Sequence, residues 1–509
     1  MTPPRFATLL FLLLFVATRV AAQGGHGRQN AAMDYKTEMR LMLGAGANPA
    51  NMTSLSDSSR TSFAVGYDAR GNTVERCEEG RSWRGWNAEG RTYLSIAPNL
   101  AAKCEASYTN GVRKKVSLAE NADYDIIAPM AVADTSGGDK DAETYAFGAG
   151  FGCDGRRASV GLAISYSSRS EYRDVDPRPK ADAVEANVRV GGLLRLSDTH
   201  AVGLYGALRK YSQDLTVKFL NAYNAAMTIY HLQGIGTDYT RFSGVYDETK
   251  YRGRGFALGA EYLGPLSAKA EFRHMTVEKS LADLENAVIG ETERETLDVS
   301  LGRRLQMGGA WRAVAAVNAV GSKTRLSQHI YDDGTHNYHL ISKRYPYEAR
   351  TFDASAAFAA LTEWLSGKGG VYVHGQIGVA KSEEKNLDNH DKLKLATLGI
   401  RLGGEVWRDW RKCRLTAGLT AGSRIGLSDE AALSAVRATE LPGAKAAIAD
   451  DHARRSATRT GGEASLRLDI DLPRNIRTIY VIARGESAWY GTGGYPQVGA
   501  ISIAAGLTL

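Results

Sequence analysis

Three of the ten histidines in this 509-residue chain fall in one stretch, Gln328-His329-Ile330-Tyr331-Asp332-Asp333-Gly334-Thr335-His336-Asn337-Tyr338-His339. Imidazoles and carboxylates are common ligands of zinc and related divalent ions. His336 and His339 are three apart, which suits two ligands on one helical turn, and His329 or Asp332 would complete the set. Asp333-Gly334 is a turn signal, and in a turn that spacing means less. The stretch then reads as a solvated polar loop. A second group lies on strand-like segments. Lys269, Glu271 and Arg273 alternate along Ser267 to His274 and share one face, with Glu261 on the preceding segment. His374 shares a face with Tyr372 and Gln376. Such charges either satisfy one another along a wall or select what passes it. No nucleophile elbow, phosphate-binding glycine loop or His-Glu-x-x-His helix is present in a usable context. Neither an enzyme nor a cofactor is expected.

The elements that carry these residues repeat from Thr61 to Leu509. Gly161 to Tyr166, Gly255 to Tyr262, Ser465 to Ile470 and Ile501 to Leu507 each alternate apolar with small, polar or charged positions. Period-two alternation is the mark of a strand with two unlike faces. A soluble sheet buries the apolar face, whereas an outer-membrane barrel turns it to lipid and keeps the polar face in its lumen. On the second reading Leu162 and Ile164 meet lipid, and Ala163 and Ser165 face inward. Alternation by itself does not separate the two.

The ends and the connections do. Residues 1–22 have the form of a secretory signal: Arg5, then an apolar run from Phe6 to Ala17, then Val20-Ala21-Ala22 before Gln23. No cysteine lies near that cut. Past it there is no apolar run long enough to span a bilayer as a helix, so insertion must be as a closed barrel. The net charge of +7 becomes +5 without Arg5 and Arg19. With no basic tail or aromatic-interleaved basic stripe, nucleic acid is not an expected partner. The roughly 490 residues of the mature chain suit one large barrel, since no linker or low-complexity tract divides them.

Eighteen candidate strands follow. Tight turns fall near Pro98-Asn99, Asp154-Gly155, Ser197-Asp198, Gly264-Pro265, Gly308-Gly309, Gly367-Lys368, Asp409-Trp410 and Pro473-Arg474. They alternate with longer connections, near residues 71–83, 113–141, 170–182, 214–250, 278–291, 326–346, 384–391, 426–458 and 489–497. Short turns on one side and long loops on the other are the asymmetry of outer-membrane barrels. The predicted fold is therefore all-β: a transmembrane antiparallel barrel of about 18 strands (14–18), over residues 61–509, in the cell outer membrane. Residues 23–60 form a periplasmic lead-in or a plug in the lumen. Within them, Ala32, Tyr35, Met39 and Met42 share one face of a short helix from Asn30 to Leu43, which Gly44 stops.

Three details complete the reading. Trp311 to Val320 breaks the alternation, because Val314 and Val320 share a face with Arg312 and Asn318; either a bulge resets the register or the lumen is partly apolar there. Ser428 to Thr439 and Ala444 to Ala453 are helix-like segments of one loop, with Ser428 as a cap, and form either a plain outer loop or a lid. Cys104 and Cys153 fall on neighbouring strands, close enough in order for a disulfide to be considered.

Several segments resemble a family of uncharacterised outer-membrane β-barrel proteins from Bacteroidota. They are Asp134-Thr135-Ser136-Gly137-Gly138-Asp139, Glu143 to Gly148, Asp176-Pro177-Arg178-Pro179-Lys180 and Gly234-Ile235-Gly236-Thr237-Asp238-Tyr239. The resemblance implies an outer-membrane barrel with no assigned activity. Asn48-Pro49-Ala50 is similar to the lead-in of long-chain fatty acid transporters. The function expected is a transport or binding component, a pore or an accessory of an uptake complex. A surface enzyme and a structural or adhesive protein are the alternatives. Expected partners are outer-membrane lipid, the barrel-assembly machinery and a TonB-dependent uptake complex.

Overall fold

In the computed structural model, residues 31–509 are described except 45, 56–58, 220–227, 245–247, 309, 333–338, 365–367, 436–439, 473–477 and 492–493. The signal-like segment, Gly309, Gly367, the Pro473-Arg474 turn and His336 lie outside the described residues.

Eighteen strands close into one antiparallel barrel. The first seven are β1 (Arg60–Gly71), β2 (Ser82–Ala97), β3 (Leu100–Val116), β5 (Gly138–Asp154), β6 (Ala158–Tyr172), β7 (Arg178–Arg195) and β8 (Ala201–Lys218), with the two-residue β4 (Val132–Ala133) in the loop after β3. The short β9 (Tyr230–His231) precedes β10 (Glu248–Leu263), β11 (Leu266–Leu281), β12 (Ala287–Gln306), β13 (Arg312–Tyr331) and β14 (Leu340–Trp364). The wall ends with β15 (Gly369–Asn386), β16 (Lys392–Trp410), β17 (Cys413–Ala432), β18 (Arg459–Asp471), β19 (Thr478–Tyr490) and β20 (Val498–Thr508). Each wall strand pairs with its neighbour in the chain, and β20 returns to β1 with Val65 opposite Ala505 and Tyr67 opposite Ile503. Closure leaves no unpaired edge, the condition for a sheet to sit in hydrocarbon.

The two faces are unlike. Leu162, Ile164, Val188, Leu258, Ile377, Ile400 and Leu466 point outward and are exposed, and Leu204 and Leu208 are 71% and 70% exposed. A soluble protein does not leave a continuous apolar band of this kind in water. The chain is an outer-membrane β-barrel, and no helix among the described residues is long and apolar enough to cross a membrane. Short turns, such as those at 98–99, 155–157 and 264–265, share the end that holds the barrel's termini; the long loops share the other.

Strands run farther into the loops than the alternation predicts. The connection expected at 278–291 narrows to 282–286, and that at 170–182 to 173–177. β16 reaches Trp410, so its turn falls at 411–412, just past the predicted Asp409-Trp410. The second correction concerns Ser428. Residues through Ala432 continue β17, so Ser428 caps no helix, whereas the helix Ala444–Ser456 forms where the second helix-like segment was expected. Ser428 stands opposite Ala396, which carries the wall onward.

β13 keeps its register across 312–320 and slips only beyond Leu326. Its irregular pattern reflects an apolar patch of lumen, since Val314 is buried against Tyr35, Met39 and Leu43. Cys104 stands opposite Ala149 and Cys153 opposite Leu100, an offset too great for a disulfide, and all four cysteines are free.

Candidate functional site: a lumen closed at two levels

The chain before the wall lies inside the barrel and follows its inner surface as a belt. The helix Ala31–Met42 starts over β15 and β16. There Tyr35 stacks on Tyr372 at 4.4 Å between centroids, lies 5.2 Å from Trp407, and donates its hydroxyl to Glu405. Lys36 pairs with Glu363 at 3.2 Å. Met39 and Leu43 continue over Val314 and Leu361, burying the apolar stripe that the sequence shows. The chain then passes β12, β11 and β8, and a 3₁₀ turn, Pro49–Ser54, lies against β5, β6 and β7. It finishes at β2, where Tyr93 donates to the Met52 carbonyl at 3.0 Å.

Glu261, one of the expected lumen charges, anchors this belt. Its Oε1 accepts from Asn48 Nδ2 at 2.7 Å and from Asn51 Nδ2 at 2.8 Å. Asn48 also caps the turn, its Oδ1 accepting from the Ala50 amide at 3.0 Å, while Pro49 supplies a fixed φ at the first position. The wall makes room with glycine. A Cβ at Gly161 would lie 2.2 Å from the Pro49 carbonyl carbon, and one at Gly191 would lie 2.0 Å from Asn48 Oδ1. The other predicted charges form a mutual ladder. Glu271 meets Arg189 at 3.2 Å and Arg273 at 3.5 Å, and Asp298 meets Lys269 at 3.4 Å and Arg273 at 3.9 Å. Arg189 also holds the Ala47 carbonyl at 2.8 Å. His374 stacks beside Tyr372 at 5.6 Å, under the start of the belt.

The far end is filled by loops that fold inward. Ile127, Met130 and Val132 of the loop after β3, and Ile229 and Ile235 of the loop after β8, pack against Tyr211, Tyr251, Val277, Leu326, Tyr347 and Leu393, all on inward faces. β4 and β9 pair Val132 with His231 and join the two loops. Ala444 and Leu441, at the start of the helix Ala444–Ser456, pack with Ala119, Ala131 and Cys77. Buried charges knit this cap. Arg173 reaches Glu120 at 3.1 Å and Asp134 at 2.5 Å, and Lys140 reaches Glu120 at 3.2 Å. Lys445 meets Asp391 at 3.0 Å. In the loop after β8, Asp238 accepts from the His231 amide at 2.6 Å, and burial pushes its carboxyl up to about 6. Burial, followed by the charge of Lys279, holds His231 well below its usual range.

Between belt and cap remain two adjoining polar cavities of about 350 and 300 Å³ that share Glu105 and Ser165. Glu89, Arg91 and Glu185 line the upper one; Lys103, Asn187 and Arg189 line the lower, with Asn48, Pro49 and Met52 as its floor. Carboxylates and cations alternate here, with Arg209 on Glu185 at 2.8 Å and Lys103 on Glu105 at 2.9 Å. Sequence reasoning found Glu261 and Asn48 but not their meeting. The available signal was the run of inward-facing glycines on β5 to β7.

Of the expected metal ligands, His329, Asp332 and His339 lie among the described residues. His329 lies at the end of β13 with Nε2 3.7 Å from Glu291, while the Asp332 amide donates to the His339 carbonyl at 3.1 Å across the loop. Cys77, Glu78 and Asp451 bring ligand atoms within 4.8 Å of one another. Asp451 is engaged by the Cys77 amide at 2.7 Å and by Arg81, however, and burial with Glu78 pushes the thiol far up, so it stays protonated.

No curated protein matches the chain in sequence. Solved outer-membrane proteins are similar in structure. The ferric-catecholate import receptor Fiu from E. coli K12 matches at 7% identity over 88% of this chain and 81% of that one, TM-score 0.39. BauA, the ferric preacinetobactin receptor from Acinetobacter baumannii, matches at 7% over 89% and 80%, TM-score 0.38. A bacterial polysaccharide outer membrane secretin matches at 11% over 89% and 99%, TM-score 0.33. Likeness at this level carries nothing about cargo. The model of a family of unknown function, DUF6850, matches residues 49–509, and the chain belongs to that family.

Proposed function

We propose that this protein is a gated transport or binding component of the outer membrane, an accessory or pore of an uptake complex, that holds a polar solute in the mid-lumen chamber. The observation that carries the reading is double closure by the protein's own chain, with a charged chamber between. A barrel of about eighteen strands otherwise leaves an open aqueous channel. The ladder of Lys269, Glu271, Arg273 and Asp298 then orders the passage, and the belt is the element that a periplasmic partner, such as a TonB-dependent complex, displaces. Insertion through the barrel-assembly machinery belongs to the same reading. Asn48-Pro49-Ala50 pointed to fatty acid transporters, but the chamber lining favours a polar cargo. A metal at His329, Asp332, His336 and His339 remains a proposal for zinc calorimetry, with the His336→Ala, His339→Ala double variant as the comparison.

Planar-bilayer recording tests the main reading. Small or rare openings are expected for the intact chain. A large steady conductance would favour an open porin instead.

A further inference from the structure

The outer face of the wall carries its own site. Two adjacent rows of side chains cross β12 to β16. In one, Leu297, Gly321, Phe352, Lys381 and Ala396 stand opposite one another in turn; in the next, Glu295, Lys323, Arg350, Glu383 and Lys394 do so. Both rows point away from the lumen, since Leu297 and Phe352 are 52% and 46% exposed to the membrane side. They line a depression of about 820 Å³. Its notch is Gly321, where an added Cβ would meet nothing within 4 Å.

The depression is amphiphilic, and its two halves lie at different heights. Lys381 is twelve residues beyond Gly369, the start of β15. At a strand tilt near 40° that is about 30 Å along the membrane normal, against an apolar band of about 25 Å. Lys381 therefore stands at the outer rim of that band, at the height of the lipid headgroups. Four cations face two carboxylates across the lining. Glu383 is shared by Lys394 at 3.4 Å and Lys385 at 3.1 Å, and Arg350 meets Glu348 at 2.6 Å. Among the described residues neither Lys323 nor Lys381 forms an ion pair. Cations held above an exposed apolar floor, on a surface that lipid must cover, match one kind of occupant: an acylated molecule with phosphate on its headgroup.

We propose that this face binds a phosphorylated glycolipid of the outer leaflet, with acyl chains over Leu297, Gly321 and Phe352 and phosphates on Lys323, Arg350, Lys381 and Lys394. The test uses the delipidated full-length barrel in detergent, titrated with diphosphoryl lipid A, with the same lipid freed of phosphate, and with inorganic phosphate, and read by native mass spectrometry. The phosphorylated lipid should be retained about tenfold more tightly than its phosphate-free form. The quadruple variant Lys323→Gln, Arg350→Gln, Lys381→Gln, Lys394→Gln should lose that margin, and a Lys210→Gln, Arg254→Gln control elsewhere on the outer face should keep it. If the quadruple variant fails the heat-shift test of folding, Lys323→Gln, Lys381→Gln alone should lose about threefold. Three results would each overturn the proposal: equal retention of the two lipids, equal loss in the control, or displacement of the lipid by inorganic phosphate.

Discussion

The two closures are built differently. The cap has its own interior: apolar clusters spanning three loops, and an ionic knot of Arg173, Glu120, Asp134 and Lys140 that is nearly inaccessible to water. Among the described residues the belt has no interior of its own: its apolar cluster of Tyr35, Met39 and Leu43 is shared with Val314, Leu361, Tyr372 and Trp407 of the wall. It is one layer of chain on a wall, held by the Tyr35 stack, a few apolar contacts and the two amides on Glu261. Buried, mutually dependent contacts fail together, whereas a chain of separate attachments peels one at a time. On the proposed function, the belt is the closure that a modest pull from the periplasm would open, and the cap the one that would wait for a ligand.

The sharpest break of this contrast is in the cap. Arg173→Leu leaves the buried Asp134 carboxylate without its cation and Glu120 with Lys140 alone, and losing one partner of such a buried pair costs about 3–5 kcal/mol. Amides of residues 117–137 should lose hydrogen-exchange protection while those of the wall do not. If protection is unchanged, the knot does not hold the cap.

Acidity should also divide the two closures. The Asp238 carboxyl lies near 6 when the loop is packed and near 3.8 otherwise. A raised value means that the packed loop favours the protonated form, so this contribution is complete below about pH 4 and lost as pH rises through 6. Relative to Asp238→Asn, the parent loop should gain up to about 3 kcal/mol between pH 7 and 4. The comparison with the variant cancels the opposing term from His231, which would charge on acidification. Exchange at residues 229–244 reads the effect, and the belt should show none of it.

Glu261→Ala should have the smallest effect, about 1–3 kcal/mol, because it leaves the buried Asn51 amide without its acceptor while Asn48 keeps the Gly192 carbonyl. It should loosen residues 48–54 alone, read as faster labelling of a cysteine placed at Thr53. Loosening that spreads to the cap would mean that the closures are one unit.

Much of this architecture was legible in the sequence, and the reasons are local. Alternation along Gly161 to Tyr166 fixes which side meets lipid, and the asymmetry of connections sets the strand number and the two ends. The apolar stripe Tyr35, Met39 and Met42 announced a helix in need of a partner. Where it docks was not legible, because its partners Trp407, Tyr372 and Val314 lie hundreds of residues away and one of them read as a register fault. Ser428 misled because Ser-Asp-Glu is a good helix start that the long β17 overrides. The knot around Arg173 was invisible for the same reason as the chamber: each charge looks solvated until the loops fold inward.

The central claim is that two barriers stand in series, and single-channel recording on four forms of the protein tests it most directly. These are the parent, a form lacking residues 31–55, a form in which the three cap segments (residues 118–136, 220–246 and 434–455) are replaced by short linkers, and the form with both changes, each confirmed as a folded barrel. The account predicts little conductance in the parent and in each singly changed form, and a large, steady conductance only when both closures are gone. Full opening by either change alone would contradict it.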